Sequence, residues 1–373
     1  MSFSLARTWV QCRKELLQFR RDRLTVALAF GLPLGMLLIF GLAIRLEIKD
    51  IPIAVQDLDR TPLSRDFISR LSATEELRVQ ALPPGARPLD PLDAGSAKAT
   101  IVIPPGTGRL VQRGQSAPLG VLIDSSDVVN AMTIRQAIRA TAQFFDMQLV
   151  PRDAFVPRVA AHVRIWFNPG RREALNIVPG VYAVVLAMYP ALLAAMAMVR
   201  ERERGTIVQA YASRLSAAEL LAGKSAAFLI VGMGQVLVVM GIGSLIWQLG
   251  FVADPTLMLV ATPLFVLDSV LFGLLIGAST TSVSAAVQGV GSVNAFFNIL
   301  LTGFLYPLSN MPYALQVLSL IVPARYFIEV SRDAFVRGAG WPGFGYAPFA
   351  MVAIGAVYFG LAWLRLRRMQ FAA

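Results

Sequence analysis

Apolar residues in this chain gather into six long runs, at 24–44, 177–199, 225–247, 256–279, 285–308 and 346–364. A hydrocarbon core of about 30 Å takes roughly 20 helical residues to cross, so the pattern predicts six membrane-spanning helices. The first run follows a long basic segment and shows no small-residue cleavage site. It is expected to be a retained span that also targets the chain, not a signal peptide.

The stretch 45–176 is patterned differently. Residues 51–55, 99–103 and 119–123 read as strands, the second ended by Pro104 and Pro105, and 64–71 as a short helix. Asp124-Ser125-Ser126-Asp127 is a helix start, and over 127–148 the residues Ile134, Ile138 and Phe145 fall on one helical face. Strands alternating with helices predict a small α/β domain, and the Pro- and Gly-rich 81–91 predicts a loop. Residues 309–343 hold Pro312, Pro323 and Pro342 among the charges Arg325, Glu329, Arg332, Asp333 and Arg337. That mixture predicts a re-entrant or interfacial segment, not a full span. The expected fold class is an all-α membrane protein of six transmembrane helices with an inserted extracytoplasmic α/β domain.

Composition agrees with lipid contact. Apolar residues make up 56% and charged residues 15%, against about 25% charge in a soluble domain, and the mean hydropathy is +0.61. The net charge of +11 raises nucleic acid as a partner, but the basic residues sit at the ends of apolar runs, which marks topology instead. Arg7, Arg13, Lys14, Arg20, Arg21 and Arg23 precede the first run. Arg200, Arg202, Arg204, Arg214 and Lys224 follow the second, and Arg365, Arg367 and Arg368 follow the last. Six spans with both termini in the cytoplasm put all fourteen on one side, against the acids Glu15, Asp22, Glu201, Glu203 and Glu219. The stretch 45–176, with 17 basic and 14 acidic residues, does not oppose this, because long domains translocate largely regardless of charge. The expected location is a bacterial inner membrane, with an interfacial helix at 1–23, a cytoplasmic loop at 200–224 and a cytoplasmic tail at 365–373. In that first helix Leu5, Trp9, Leu16 and Phe19 are set among Arg and Lys, so membrane lipids are expected partners. A plain topology anchor explains the same charges.

The loop 200–224 carries the sharpest local signal. Glu201-Arg202-Glu203-Arg204-Gly205-Thr206 is a charged turn, 207–213 a short helix, and Ser216 with Glu219 has the spacing of a capping box at the entry to the next span. A short helix across the mouth of the bundle is placed to take force from a soluble partner, although an ordinary charged connection has the same composition. Glu201, Arg202, Glu203, Gly205, Thr206, Gln209, Ser213, Ser216, Glu219, Gly223 and Lys224 resemble the coupling-helix region of type-2 ABC exporter permeases. Two positions depart from that pattern: Val208 stands where the family often has Glu, and Arg214 where it often has Pro. Trp166-Phe167-Asn168-Pro169 with Val178-Pro179-Gly180, and Pro307 to Pro312 with Pro323-Ala324-Arg325-Tyr326-Phe327, Arg332 and Arg337-Gly338, resemble further segments of the same family in the same order.

The resemblance implies a permease subunit that exports drugs or other amphipathic compounds. It implies a cytoplasmic ABC ATPase subunit as partner, a second permease subunit, identical or a sister, and room for a periplasmic adaptor. ATP and Mg would sit on the ATPase, so Glu201, Arg202, Glu203, Arg204, Gly205, Thr206, Gln209, Ser216, Glu219 and Lys224 would serve coupling. The chain itself is expected to bind no cofactor. Gly223-Lys224-Ser225 is not a phosphate loop, because the glycine required five positions before Gly223 is Ala218 and a helix stands where a strand should.

Asp268 lies midway along the fourth run, and an ionisable group there suggests function by default. The competing reading is a helix contact to a neighbouring Asn294 or Asn298. Gly273 and Gly277 form a GxxxG pair suited to close helix approach, with dimer contact as one outcome. The single cysteine, Cys12, and single histidine, His162, exclude a disulfide within the chain and argue against a metal site. With no nucleophile–base pair or carboxylate pair in a clear context, no catalytic residues are expected. A membrane-anchored sensor, with 45–176 binding a ligand, is the alternative function.

Overall fold

The computed structural model describes residues 3–43, 50–126, 128–149, 174–203, 205 and 215–370. They form two compact units, one of 1–44 with 165–373 and the other of 45–164.

The smaller unit is built on a four-stranded sheet. Its elements are β1 (Ile51–Asp57), α3 (Pro62–Ser72), β2 (Leu77–Ala81), α4 (Asp90–Asp93), β3 (Ala99–Ile103), α5 (Thr107–Gln112), β4 (Gly120–Ile123) and α6 (Val128–Leu149). The two helices that precede it, α1 (Leu5–Arg21) and α2 (Arg23–Ala43), belong to the larger unit. The strand order is β2-β1-β3-β4, parallel across β1 to its two neighbours and antiparallel at β4. The apolar β1 is buried at almost every position because it lies between two strands with helical cover. Thr61 starts α3 with a reciprocal cap to Ser64, and Pro62 fills the position where a missing N–H costs nothing. The anticipated face of α6 is buried: Ile134, Ile138 and Phe145 pack with Phe67 and Leu71, the Phe67 and Phe145 rings meeting edge to face at 5.5 Å. The edge strand β2 carries no apolar run, only Leu77 and Val79 between polar residues, and hydropathy alone does not mark it.

The larger unit contains α1 (Leu5–Arg21), α2 (Arg23–Ala43), α7 (Ala174–Glu203), α8 (Ala217–Trp247), α9 (Thr256–Ser279), α10 (Val283–Val293), α11 (Tyr313–Ser319), α12 (Pro323–Arg332), α13 (Trp341–Phe344) and α14 (Tyr346–Gln370). Among the described residues, five helical stretches are long and apolar enough to cross a membrane: Arg23–Leu42, Ile177–Glu203, Ala217–Trp247, Thr256–Ser279 and Tyr346–Arg367. The most buried is α7, which packs on α2, α8, α9, α10 and α12. Its alanines, Ala183, Ala191, Ala194 and Ala195 among them, let neighbours come close. Gly273 and Gly277 of α9 use this: a methyl on Gly273 would strike the Ala191 backbone, and one on Gly277 would lie 2.8 Å from the Ala195 carbonyl. The GxxxG pair therefore packs α9 on α7 of the same chain.

The expected span 285–308 is not one continuous α-helix. Helix α10 runs into a π-turn at Asn294–Asn298, and regular structure is lost at 301–306. Gly303 there is left-handed, and the Gly303 and Phe304 carbonyls are taken by the Arg332 guanidinium at 2.8 and 3.0 Å. A cation from another helix thus satisfies acceptors that a straight span would have paired internally. The next pair of helical segments, Tyr313–Ser319 and Pro323–Arg337, bends by 88°, the geometry of a broken span or a re-entrant loop. The break falls where Val322 is extended before Pro323.

Candidate functional site

Two polar constellations interrupt the apolar interior of the larger unit. The first lies where α7 ends and α8 begins. Ser216 and Glu219 form the expected capping box, with Glu219 N–H donating to Ser216 Oγ at 3.3 Å and Ser216 N–H to Glu219 Oε2 at 2.9 Å. Glu219 also accepts from the Ser4 N–H at 2.6 Å and from Arg7 Nη2 at 2.6 Å. One carboxylate therefore closes the exposed N–H ends of both α1 and α8, where a negative charge is favoured.

One turn further on, Lys224 is fully buried. Its Nζ sits 2.7 Å from Glu15 Oε1 and 3.0 Å from Glu201 Oε2. Lys14 pairs with the other oxygen of Glu201, and Gln11 donates to Glu15 at 2.8 Å. Two cations and two anions balance, as burial demands. Burial, helped by the nearby Glu201 carboxylate and opposed by Lys224, holds the Glu15 pKa above its ordinary value. Gly223 is needed beside this cluster: a methyl there would sit 2.8 Å from the Gln11 side chain and 2.9 Å from the Thr8 carbonyl. Helix α1 thus turns a polar stripe inward and leaves Leu5 and Trp9 outside, 78% and 62% exposed. Leu16 and Phe19 pack on the core instead, so the four residues do not share one apolar face.

The last residues of α7 reach three ways. Glu201 holds α1 and α8, Arg202 donates to the Thr280 carbonyl at 3.0 Å, and Glu203 accepts from the Val283 N–H at the start of α10 at 2.9 Å. Gly205, left-handed, follows the helix end. Of the expected coupling residues, Glu201 and Lys224 are in direct contact, while Ser216 and Glu219 stand one turn away. Arg204, Thr206 and Gln209 lie outside the described residues, as do His162 and 166–169. The sequence reading missed Arg7, Lys14 and Glu15 as partners. The signal available for them was the acid Glu15 on an otherwise basic helix, in register with Arg7, Gln11 and Lys14.

The second constellation is a cavity of about 260 Å³ within the bundle, and it brings Asp268, Asn294 and Asn298 together on its walls. Asn298 donates to Asn294, which donates to the Val290 carbonyl at 2.8 Å, so the amides satisfy one another along α10 and its π-turn. Asp268 is 2% exposed, and among the described residues its Oδ2 has no hydrogen-bond partner. Gly355 of α14 lies against the carboxylate, where a methyl would collide with Oδ1. Among the described residues, no group of three or more His, Cys, Asp or Glu is placed to hold a metal.

A family model described as an ABC-2 family transporter protein matches residues 23–364. The chain belongs to the ABC-2 transporter family. Curated relatives of this ABC-2 permease include the probable multidrug ABC transporter permease YbhS of Escherichia coli K12, 26% identical over 362 residues, 96% of each chain. The probable multidrug ABC transporter permease YbhR of the same strain is 27% identical over 336 residues, 89% of this chain and 90% of the relative. The inner membrane transport permease YhhJ is 28% identical over 352 residues, 85% of each chain. The ABC-2 permease is accordingly a multi-pass transmembrane transport protein.

Proposed function

We propose that this chain is the membrane subunit of an ATP-driven exporter in a bacterial inner membrane, with six crossings, both termini in the cytoplasm and 45–176 outside. The observation that carries the reading is the way residues 201–203, 219 and 224 tie α1, α7, α8 and α10 into one block. A separate ATPase, holding ATP and Mg, would press on the loop between α7 and α8. A buried, fully paired charge cluster is stiff, because separating its members strands a charge in an apolar interior at about 3–5 kcal/mol. Movement at the loop would therefore pass to four helices at once. Two of the relatives are named as probable multidrug permeases, which supports drug-like cargo, amphipathic compounds among them. A second permease subunit would complete the pathway, and a periplasmic adaptor would be a further partner.

The test is co-purification of the tagged chain from its native membrane, comparing wild type with a variant in which 206–213 is replaced by a Gly-Ser linker of equal length. Nucleotide-hydrolysing subunits should accompany the wild type and be lost from a linker variant that still elutes as a single species. A wild-type chain that purifies without any ATPase would reject the exporter reading and favour a sensor.

A further inference from the structure

The Asp268 cavity is not used by the coupling argument, and its chemistry is unusual for a bundle interior. The carboxylate is buried, and among the described residues no lysine or arginine lines the space around it. Neither neighbouring amide is hydrogen-bonded to it: Asn298 donates to Asn294, and Asn294 donates to the Val290 carbonyl. Four aromatic rings share the rest of the wall with Ser269 and the aliphatic Ala187, Val293, Ile321, Val322, Pro323 and Ala324. Phe272 and Tyr358 meet at 5.7 Å between centroids, Phe265 is fixed by stacking on Phe327 at 4.2 Å, and Phe297 of the π-turn is the fourth ring. A carboxylate without a counter-ion, set among aromatic faces, is the pattern that attracts an organic ammonium. A hard inorganic cation is poorly served here. It would need six or more oxygens, and the Asn294 amide oxygen is already taken by Asn298.

We propose that the cavity between α7, α9, the π-turn at 294–298, the bend at 321–324 and α14 is a binding site for a compact lipophilic organic cation, with Asp268 as counter-charge and aromatic rings among its walls. At about 260 Å³ it falls just under the roughly 300–1,000 Å³ of drug-sized sites, which favours a compact ammonium over a large drug. A weakly hydrated cation surrenders little solvation on entry, and it meets an acid that no described residue pairs. As the cargo class of the transporter, this rests on the exporter reading. As a binding site, it does not.

The experiment is equilibrium binding of labelled benzyltrimethylammonium to the full chain in lipid nanodiscs, without nucleotide or partner. Its uncharged carbon isostere, neopentylbenzene, serves as the control. Saturable binding of the cation is expected, weakened by about thirtyfold or more in Asp268→Asn, with binding of the isostere unchanged. In Gly355→Ala, where the new methyl displaces the carboxylate, weakening is also expected. Protection of Asp268 from a hydrophobic carbodiimide by the cation, read by peptide mass spectrometry on the wild-type chain, gives the same answer without any variant. Equal cation binding in wild type and Asp268→Asn, or no saturable binding and no protection, overturns the proposal. Failure here with an ATPase still co-purifying removes the site and leaves the exporter. Binding without any ATPase removes the exporter and leaves the site.

Discussion

The two polar clusters in the helical unit bury acids in opposite ways. At the α7–α8 end, Glu15, Glu201 and Glu219 each meet a cation, and Lys224 is enclosed between two of them. In the bundle cavity, Asp268 is as deeply buried and its Oδ2 meets nothing. The first arrangement spends its charges on holding helices together. The second leaves one without a partner among the described residues, so it adds nothing to the hold between helices. Equal burial with unequal partnering thus separates a joint from a site.

The comparison breaks most visibly at Lys224. Lys224→Met should destabilise the helical unit by about 3–5 kcal/mol, because Glu15 and Glu201 are then left in one buried space with only Lys14 between them. Adding Glu15→Gln and Glu201→Gln to that variant should recover most of the loss, since the cost lies in stranded charge more than in lost attraction. Thermal unfolding in one detergent checks both. A triple variant as unstable as the single one would mean that the cluster matters by shape and not by charge.

A smaller effect concerns Glu15 alone. Its pKa in the folded chain is raised by burial, so the native state holds that proton more tightly than the unfolded one, and ionising it costs stability. Its contribution should be intact below about 4.5, the ordinary value, and should decline as pH rises through the raised pKa, with a slope of at most about 1.4 kcal/mol per pH unit. Glu15→Gln should flatten that decline. An unchanged pH profile of unfolding in the variant would assign the slope to another group.

What could be read in the sequence follows the range of the interactions. The capping box at Ser216 and Glu219 is a four-residue signal and forms as spaced. The grouping of Asp268 with Asn294 and Asn298 was open to inspection because polar residues stand out in apolar runs. The α1 partners of Lys224 and Glu219, Glu15 and Arg7, were not legible. They lie more than 200 positions away on α1, and a basic amphipathic helix reads as a lipid-facing element whichever stripe it turns inward. The interruption after α10 also escaped, because hydropathy reports an apolar run equally well whether its backbone bonds are internal or taken by Arg332. GxxxG gave the closeness of an approach without the identity of the neighbour, which proved to be α7.

The smallest expected effect is the one that sharpens the contrast most. Asp268→Asn keeps the volume and shape of the side chain while removing its charge. Were Asp268 a member of a hidden network like that of Lys224, the substitution would unpair a buried partner and cost about 3–5 kcal/mol. With Oδ2 unpartnered, there is no such partner to strand, and an isolated ionised carboxylate in a dry interior is itself unfavourable. The variant should therefore unfold at the wild-type temperature or slightly above it, within about 1 kcal/mol. A residue that can be neutralised without loss of stability, yet is needed for a cation to bind, is held by what it binds and not by the fold. A loss above about 2 kcal/mol would place Asp268 among the joints and end the distinction.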